Sequence, residues 1–386
     1  MSFSKVNPIL RPRNSQLFAC FQSCNVSTIE KSKLKTLKEA YLSEGKYQSI
    51  SELAKHLSHQ IVYYEPKKDK SGVIIVNKPA GVPLKSTQDG FLGLTDAMPD
   101  LADILGLKRI SVVKTVQRFA SGCVLLASEE SGENKLKKCL NRARYQSILH
   151  ETFYALTHGL PRKDSTDEVV DIKLVNIRDD KILDNKPRME PVIERFLSSK
   201  TALKSKETNI SRLSVQSEVM SKSSNGRASL FRIEPTSTRQ NFVSVYCADM
   251  LSPILGDEFY SYRAKPILGK MIKVSPQMSP DSNARVEILP DWFLKSLGLN
   301  SAQEHLIPLH LHLGRICLPG FNGKGKDLIV HAPFRPYFLG TADCLGIKMS
   351  EELQNDNEMR QYKLIHRKKQ PKDVEIIAPD AIENKL

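Results

Sequence analysis

The 386-residue chain has a single tryptophan, few cysteines, and no apolar run approaching the roughly 20 residues that a membrane-spanning helix needs. Its seven cysteines stand at positions 20, 24, 123, 139, 247, 317 and 344. The count is odd and no two form a C-x-x-C pair, which argues against a zinc site or a disulfide framework and for a reducing compartment. Cys123 and Cys247 sit inside apolar runs and read as small core residues. A phosphate-binding loop is missing too: Gly323-Lys-Gly-Lys326 is too short and lacks the Ser/Thr. Nor does the sequence call for a metal or a cofactor. Acids are absent from the first 29 residues, which carry Lys5, Arg11, Arg13 and five serines; the first acid is Glu30. That composition is the one of a mitochondrial transit segment, assigned here to residues 1–30, and it implies the mitochondrial matrix.

What is present describes a folded, basic protein. Apolar residues make up 40% of the chain and charged residues 26%, so most of it should fold. A formal net charge of +14 points to a polyanionic partner, most simply nucleic acid, RNA or DNA. Residues 31–70 read as a helical N-terminal extension. In it Ile50, Leu53, Ala54, Leu57 and Ile61 lie on one helical face, with Ser51 as the N-cap.

The main domain is expected over residues 71–348. It opens on the β-branched run Val73–Val76, followed by the tight bend Lys78-Pro-Ala-Gly81. Two β-rich segments fall within 110–127, and Thr152–Thr157 is a further strand. Residues 133–147 form a basic helix whose Lys135, Lys137, Lys138, Arg142 and Arg144 suit a phosphate rail. Residues 198–224 hold nine serines and neither proline nor aromatic residues, the composition of a flexible insertion. Residues 349–386 read as a mobile charged tail. His310 and His312 alternate with leucines, the pattern of a structural strand rather than a metal site.

Several segments, in order, resemble the RluA-type RNA pseudouridine synthases. Val76-Asn-Lys-Pro-Ala-Gly81 is similar to that family's Asn-Lys-Pro-Gly signature. Lys114-Thr-Val-Gln-Arg-Phe-Ala-Ser-Gly122 falls where the family has His-Arg-Leu-Asp, two variable residues and Thr-Ser-Gly. Glu151-Thr-Phe-Tyr-Ala-Leu-Thr-His-Gly159 is similar to its Lys-x-Tyr…Gly segment. Ser237–Ala248 matches Gly-Arg-Thr-His-Gln-Ile-Arg-Val-His, followed by an intact Pro253-Ile-Leu-Gly-Asp257 and Tyr260. Pro308–Leu313, Leu318-Pro-Gly320 and Ala332-Pro333 resemble the closing strand and turn. Within the family the text resembles a degenerate mitochondrial branch of animals. That branch is associated with messenger RNA pseudouridylation and with a module supporting the large ribosomal RNA.

The resemblance implies an α+β pseudouridine synthase fold: a bent, mainly antiparallel sheet with flanking helices and a central RNA cleft. It also implies a site. Isomerising uridine to pseudouridine breaks the C1′–N1 bond of a flipped nucleotide and rejoins the base through C5, for which the family uses a carboxylate held charged by an arginine. Here Gln117 stands at the aspartate position and Ser244 at the arginine position, while Phe153 replaces the stacking tyrosine. An amide is neither nucleophile nor base at neutral pH, so the pair is expected to be inert. Lys78, Arg118 and Arg239, with Lys137, Lys138, Arg142 and Arg144 of the basic helix, are the candidate RNA contacts. Asp257 reads as a turn residue. Asp89, Asp96, Asp100 and Asp249 are the acids that offer a substitute. Three functions follow: an RNA-binding member with weak or absent activity, an active synthase with a substitute acid, or a protein-binding scaffold among ribosome-assembly proteins.

Overall fold

The computed structural model describes residues 37–65, 72–177, 188–194, 210–268, 270–276 and 289–349. The transit segment expected at 1–30 and the tail from 350 onward lie outside the described residues.

Two helices open the described chain, α1 (Leu37–Ser43) and α2 (Ile50–His59), followed by β1 (Ile61–Tyr64) and β2 (Val73–Lys78). Then come α3 (Met98–Leu105), β3 (Ser111–Lys114), β4 (Ser121–Ala127), α4 (Glu130–Tyr145) and β5 (Glu151–His158). A run of strands follows: β6 (Ser165–Ile177), β7 (Arg188–Glu194), β8 (Ile210–Lys222) and β9 (Ala228–Pro235). Helix α5 (Phe242–Asp249) precedes the hairpin β10 (Ala264–Ile267) and β11 (Lys270–Lys273). The last elements are α6 (Asp291–Ser296), β12 (Leu311–Leu318), β13 (Leu328–His331) and α7 (Pro336–Cys344).

Eleven strands form one mixed sheet in the order β1-β2-β4-β12-β5-β9-β8-β6-β7, with β3 on β4 and β13 on β12. Every pairing is antiparallel except β4 with β12. At that parallel junction His312 lies beside Ser121 and Leu313 beside Gly122. Gly122 is required there: a Cβ built on it would fall 2.3 Å from the Leu313 carbonyl oxygen, and its φ is +118°.

Alternation along the strands assigns helices to the two faces. Ile75, Leu125, Phe153, Phe231 and Leu313 share a core with Leu136 of α4 and with Phe242 and Tyr246 of α5. Ile74, Val76, Val124 and Leu126 point the other way, onto Leu53 and Leu57 of α2 and Leu101 of α3. On that same second side, Tyr154, Leu156 and Leu230 pack on α6 and α7.

Three expectations are corrected. The stretch 31–70 is not wholly helical, because Ile61 leaves the helix and opens β1, which pairs with β2 inside the main sheet. The N-cap of α2 is Ser49 rather than Ser51, two residues earlier: its side chain accepts from the Glu52 backbone N–H, satisfying an orphan donor of the first turn. Most informative is the serine-rich insertion. Residues 198–209 lie outside the described residues, but 210–222 form β8, hydrogen-bonded between β9 and β6. Leu213 and Val215 are buried from that strand, and its serines are accommodated by hydroxyl bonds, as between Ser217 and Thr166 at 2.8 Å.

Among the described residues no helix is long and apolar enough to cross a membrane. Cys123 and Cys247 are buried, as expected for small core residues. Asp257 is a turn residue: one carboxylate oxygen accepts from the backbone N–H groups of Phe259 and Tyr260, both at 3.0 Å. His310 and His312 are wholly buried structural residues. His310 bonds Thr341, while His312 bonds Ser121 and the Ala332 carbonyl.

Candidate active site

A small cleft opens on the α4/α5 face of the sheet. The loop between β3 and β4 contributes Thr115, Val116 and Gln117; β5 contributes Glu151 and Phe153; Leu311 comes from β12. Thr238 and Asn241 from the turn before α5, and Val243 and Ser244 from the helix itself, complete the lining. Gln117, Ser244 and Phe153, more than a hundred residues apart at the extremes, therefore line one cavity.

Each wall has a local cause. The β3–β4 loop is fixed by Lys78, the last residue of β2. This side chain is fully buried, and its ammonium donates to the carbonyls of Pro79, Val82 and Arg118 at 2.9, 3.1 and 3.0 Å. Gly81 N–H donates to the same Arg118 carbonyl, so the loop bearing Gln117 is clasped to the 79–82 bend. Burial pulls the Lys78 amine down to about 7 despite the opposing pull of Glu44. Lys78 is thus a loop clasp and not the phosphate contact expected of it. A strand's last residue can point inward, and three carbonyls stand ready to satisfy it.

Helix α5 is brought to the cleft by Gln240 and Asn241, two consecutive non-glycine residues at φ 59° and 52°. Left-handed backbone of this kind is held only when the surroundings fix it, and it clusters at functional sites. Asn241 donates to the Tyr260 hydroxyl at 3.0 Å. The turn launches α5 with Val243 and Ser244 on the cleft side. Phe153 is 4% exposed and serves both the core and the cleft wall.

One cleft residue was missed by the sequence reading. Glu151 is 1% exposed, and one of its oxygens lies 2.5 Å from the Lys114 ammonium. Its other oxygen, Oε2, is buried without a hydrogen-bond partner. Burial is the largest single influence and pushes the carboxyl up, but Lys114 and His150 together outweigh it and hold Glu151 below the usual carboxylate range. The signal was available: period-2 alternation puts 151 on the same strand face as 153. The substitute acids considered earlier are placed elsewhere. Asp96 bonds Ser86 at the surface, Asp249 pairs with Lys273 and Arg162, and neither lines the cleft.

The remaining cations separate into groups. Arg118 is half-buried beside Gln117, with its guanidinium 4.1 Å from the Phe91 ring centroid and 4.9 Å from that of Phe119. Arg239 is exposed between the cleft residues Thr238 and Asn241. Lys137, Lys138, Arg142 and Arg144 are exposed on α4, outside the cleft lining. There Lys137 pairs with Glu133 and Arg142 donates to the Pro319 carbonyl.

Comparison with known proteins agrees with this architecture. Residues 72–249 match the family described as RNA pseudouridylate synthase. The chain is 28% identical over 282 residues to the human mitochondrial mRNA pseudouridine synthase RPUSD3, covering 72% of this chain and 75% of that one. It is 24% identical over 297 residues to the mitochondrial pseudouridylate synthase RPUSD4 of Danio rerio, covering 75% of each. The solved structure of human RNA pseudouridylate synthase domain containing 4 superposes with a TM-score of 0.55 at 23% identity, covering 78% of this chain and 98% of that one. The mixed sheet with flanking helices is that structure's fold. Residues 72–249 thus match an RluA-type RNA pseudouridylate synthase domain, and the chain's relatives are mitochondrial pseudouridine synthases.

Proposed function

We propose that this chain is a mitochondrial RNA-binding protein whose cleft receives a flipped nucleotide but runs the family's aspartate chemistry weakly or not at all. The observation that carries this is the convergence of Gln117 and Ser244 on one cavity. Where the family pairs a carboxylate with a guanidinium, two neutral groups face the cleft, and a neutral amide supplies no anionic oxygen. Joint replacement avoids the several kcal/mol that a buried arginine without its partner would cost, on the order of 3–5. Phe153 remains in the cleft as an apolar stacking surface. The RNA is a mitochondrial messenger or large-subunit ribosomal RNA, and the matrix is its place of action. Arg118 and Arg239 at the cleft, with the exposed cations of α4, are the RNA contacts; ribosome-assembly proteins are the further partners.

A second reading has its own observation. The Glu151–Lys114 pair puts a charged carboxylate into the same cleft, its second oxygen accepting no hydrogen bond and lying 4.0 Å from His150 Nε2. On that reading the chain is an active synthase with a relocated acid. The test is incubation of the purified protein with labelled mitochondrial transcripts, alongside Gln117→Asp/Ser244→Arg and Glu151→Gln. The first reading expects bound RNA without new pseudouridine from the wild type. Pseudouridine formed by the wild type and abolished by Glu151→Gln overturns it in favour of the second.

A further inference from the structure

Among the described residues three phenylalanines are exposed, and contacts with one another or with Arg118 link all three beside the cleft. Phe91 is 40%, Phe119 37% and Phe259 58% exposed. Phe119 and Phe259 lie with ring centroids 5.8 Å apart at 39°. The Arg118 guanidinium lies over Phe91 on one side and Phe119 on the other. Three separate segments supply these rings, so the cluster is built by the fold and not by a local apolar run.

Its connection to the cleft is short on both sides. Arg118 and Phe119 directly follow the cleft residue Gln117, in the loop clasped by Lys78. Phe259 sits in the turn capped by Asp257, next to Tyr260, whose hydroxyl accepts from the cleft residue Asn241. Exposed apolar surface is unfavourable in water and marks a binding site when it is concentrated in one place. An exposed cluster of aromatic rings with a guanidinium set into it, on a chain of net charge +14, is the chemistry of nucleobase stacking.

We propose that Phe91, Phe119 and Phe259, organised around Arg118, form a stacking platform for an unpaired base of single-stranded RNA next to the nucleotide in the cleft. The platform rests on the RNA-binding reading above and adds to it a second, sequence-tolerant contact. It selects single-stranded over duplex RNA, because only unpaired bases present a free face.

The test measures full-chain affinity for a fluorescent single-stranded RNA and for a duplex of the same sequence, each across a salt series. The variants are Phe119→Ala/Phe259→Ala and, as the conservative control, Phe119→Tyr/Phe259→Tyr. Loss of both rings is expected to weaken single-strand binding about tenfold. Duplex binding and the salt slope should be unchanged, because no phosphate contact is removed. The tyrosine variant should bind as the wild type does. Single-strand affinity unchanged in the alanine variant overturns the platform alone. A wild type that binds neither RNA overturns the RNA reading as well, and leaves the exposed rings to a protein partner.

Discussion

The two walls of the cleft differ in how they treat charge. One wall, from the β3–β4 loop and α5, presents Gln117 and Ser244, both neutral. The other, from the end of β3 and the start of β5, presents Glu151 held by Lys114. Chemistry on a flipped nucleotide depends on where a charged oxygen sits relative to the sugar, to within a fraction of an ångström to an ångström. An ion pair on the wrong wall is therefore not an equivalent of one on the right wall. Loss of a single acid would have left its cation stranded. Loss of both members leaves a wall with nothing to neutralise, and burial elsewhere in the cleft is supported by a different pair.

The comparison can be broken at its foundation first. Lys78 holds the loop of the neutral wall, and Lys78→Ala removes three buried hydrogen bonds and opens a cavity. A loss of about 3–5 kcal/mol is expected in urea or guanidinium unfolding. Because the folded state lowers the Lys78 amine to about 7, the unfolded chain binds more protons between about pH 7 and its ordinary value of 10.5. This group's contribution therefore makes stability rise with pH across that window, and Lys78→Met should flatten the rise.

The charged wall comes next. Lys114→Met strands the Glu151 carboxylate in a buried site. The cost should be about 2–3 kcal/mol, below the usual figure for a fully buried pair because the Lys114 side chain is 25% exposed. The destabilisation should shrink as pH falls and Glu151 becomes protonated. Thermal unfolding of the variant at pH 4 and pH 7 measures this.

A smaller effect is expected from restoring acid to the neutral wall. Gln117→Asp places a carboxylate in the cleft with Ser244 and the charged Glu151, while the neighbouring Arg118 is engaged with the Phe91 and Phe119 rings. Its pKa should rise above the usual aspartate value, so stability should fall by about 1–2 kcal/mol as pH climbs from 4 to 7. Adding Ser244→Arg should recover most of that loss, and a double-mutant cycle at pH 7 reads the coupling directly. Smallest of all, Phe153→Tyr should cost less than about 1 kcal/mol, because the ring borders open cleft and the hydroxyl can reach water.

How much of this was legible in the sequence depends on what carried the signal. Strands β2, β4 and β5 were readable from their apolar and β-branched runs, and the bend at 79–81 from Pro and Gly. Gln117 and Ser244 carry no signal of their own. They became informative only through the resemblance, because a glutamine in a loop and a serine in a helix are unremarkable alone. Strand β8 was hidden by composition: nine serines suggested a solvated segment, yet Leu213 and Val215 alternate correctly and the hydroxyls bond across the sheet. Lys78 was misread because sequence does not show which way a strand's last residue turns. Alternation puts Glu151 on the cleft face of its strand, but its ion pair is invisible in the sequence, since its partner Lys114 lies 37 residues earlier and meets it only through the sheet. The three exposed phenylalanines were equally silent, being scattered over 169 positions.

The most direct test of the account is the pseudouridine content of a mitochondrial transcript after incubation with the purified wild-type protein under conditions where binding is measured in the same tube. The account predicts RNA bound and no pseudouridine above the protein-free control. Pseudouridine produced by the wild type and lost on Glu151→Gln would contradict it, and would move the chemistry from the neutral wall to the charged one.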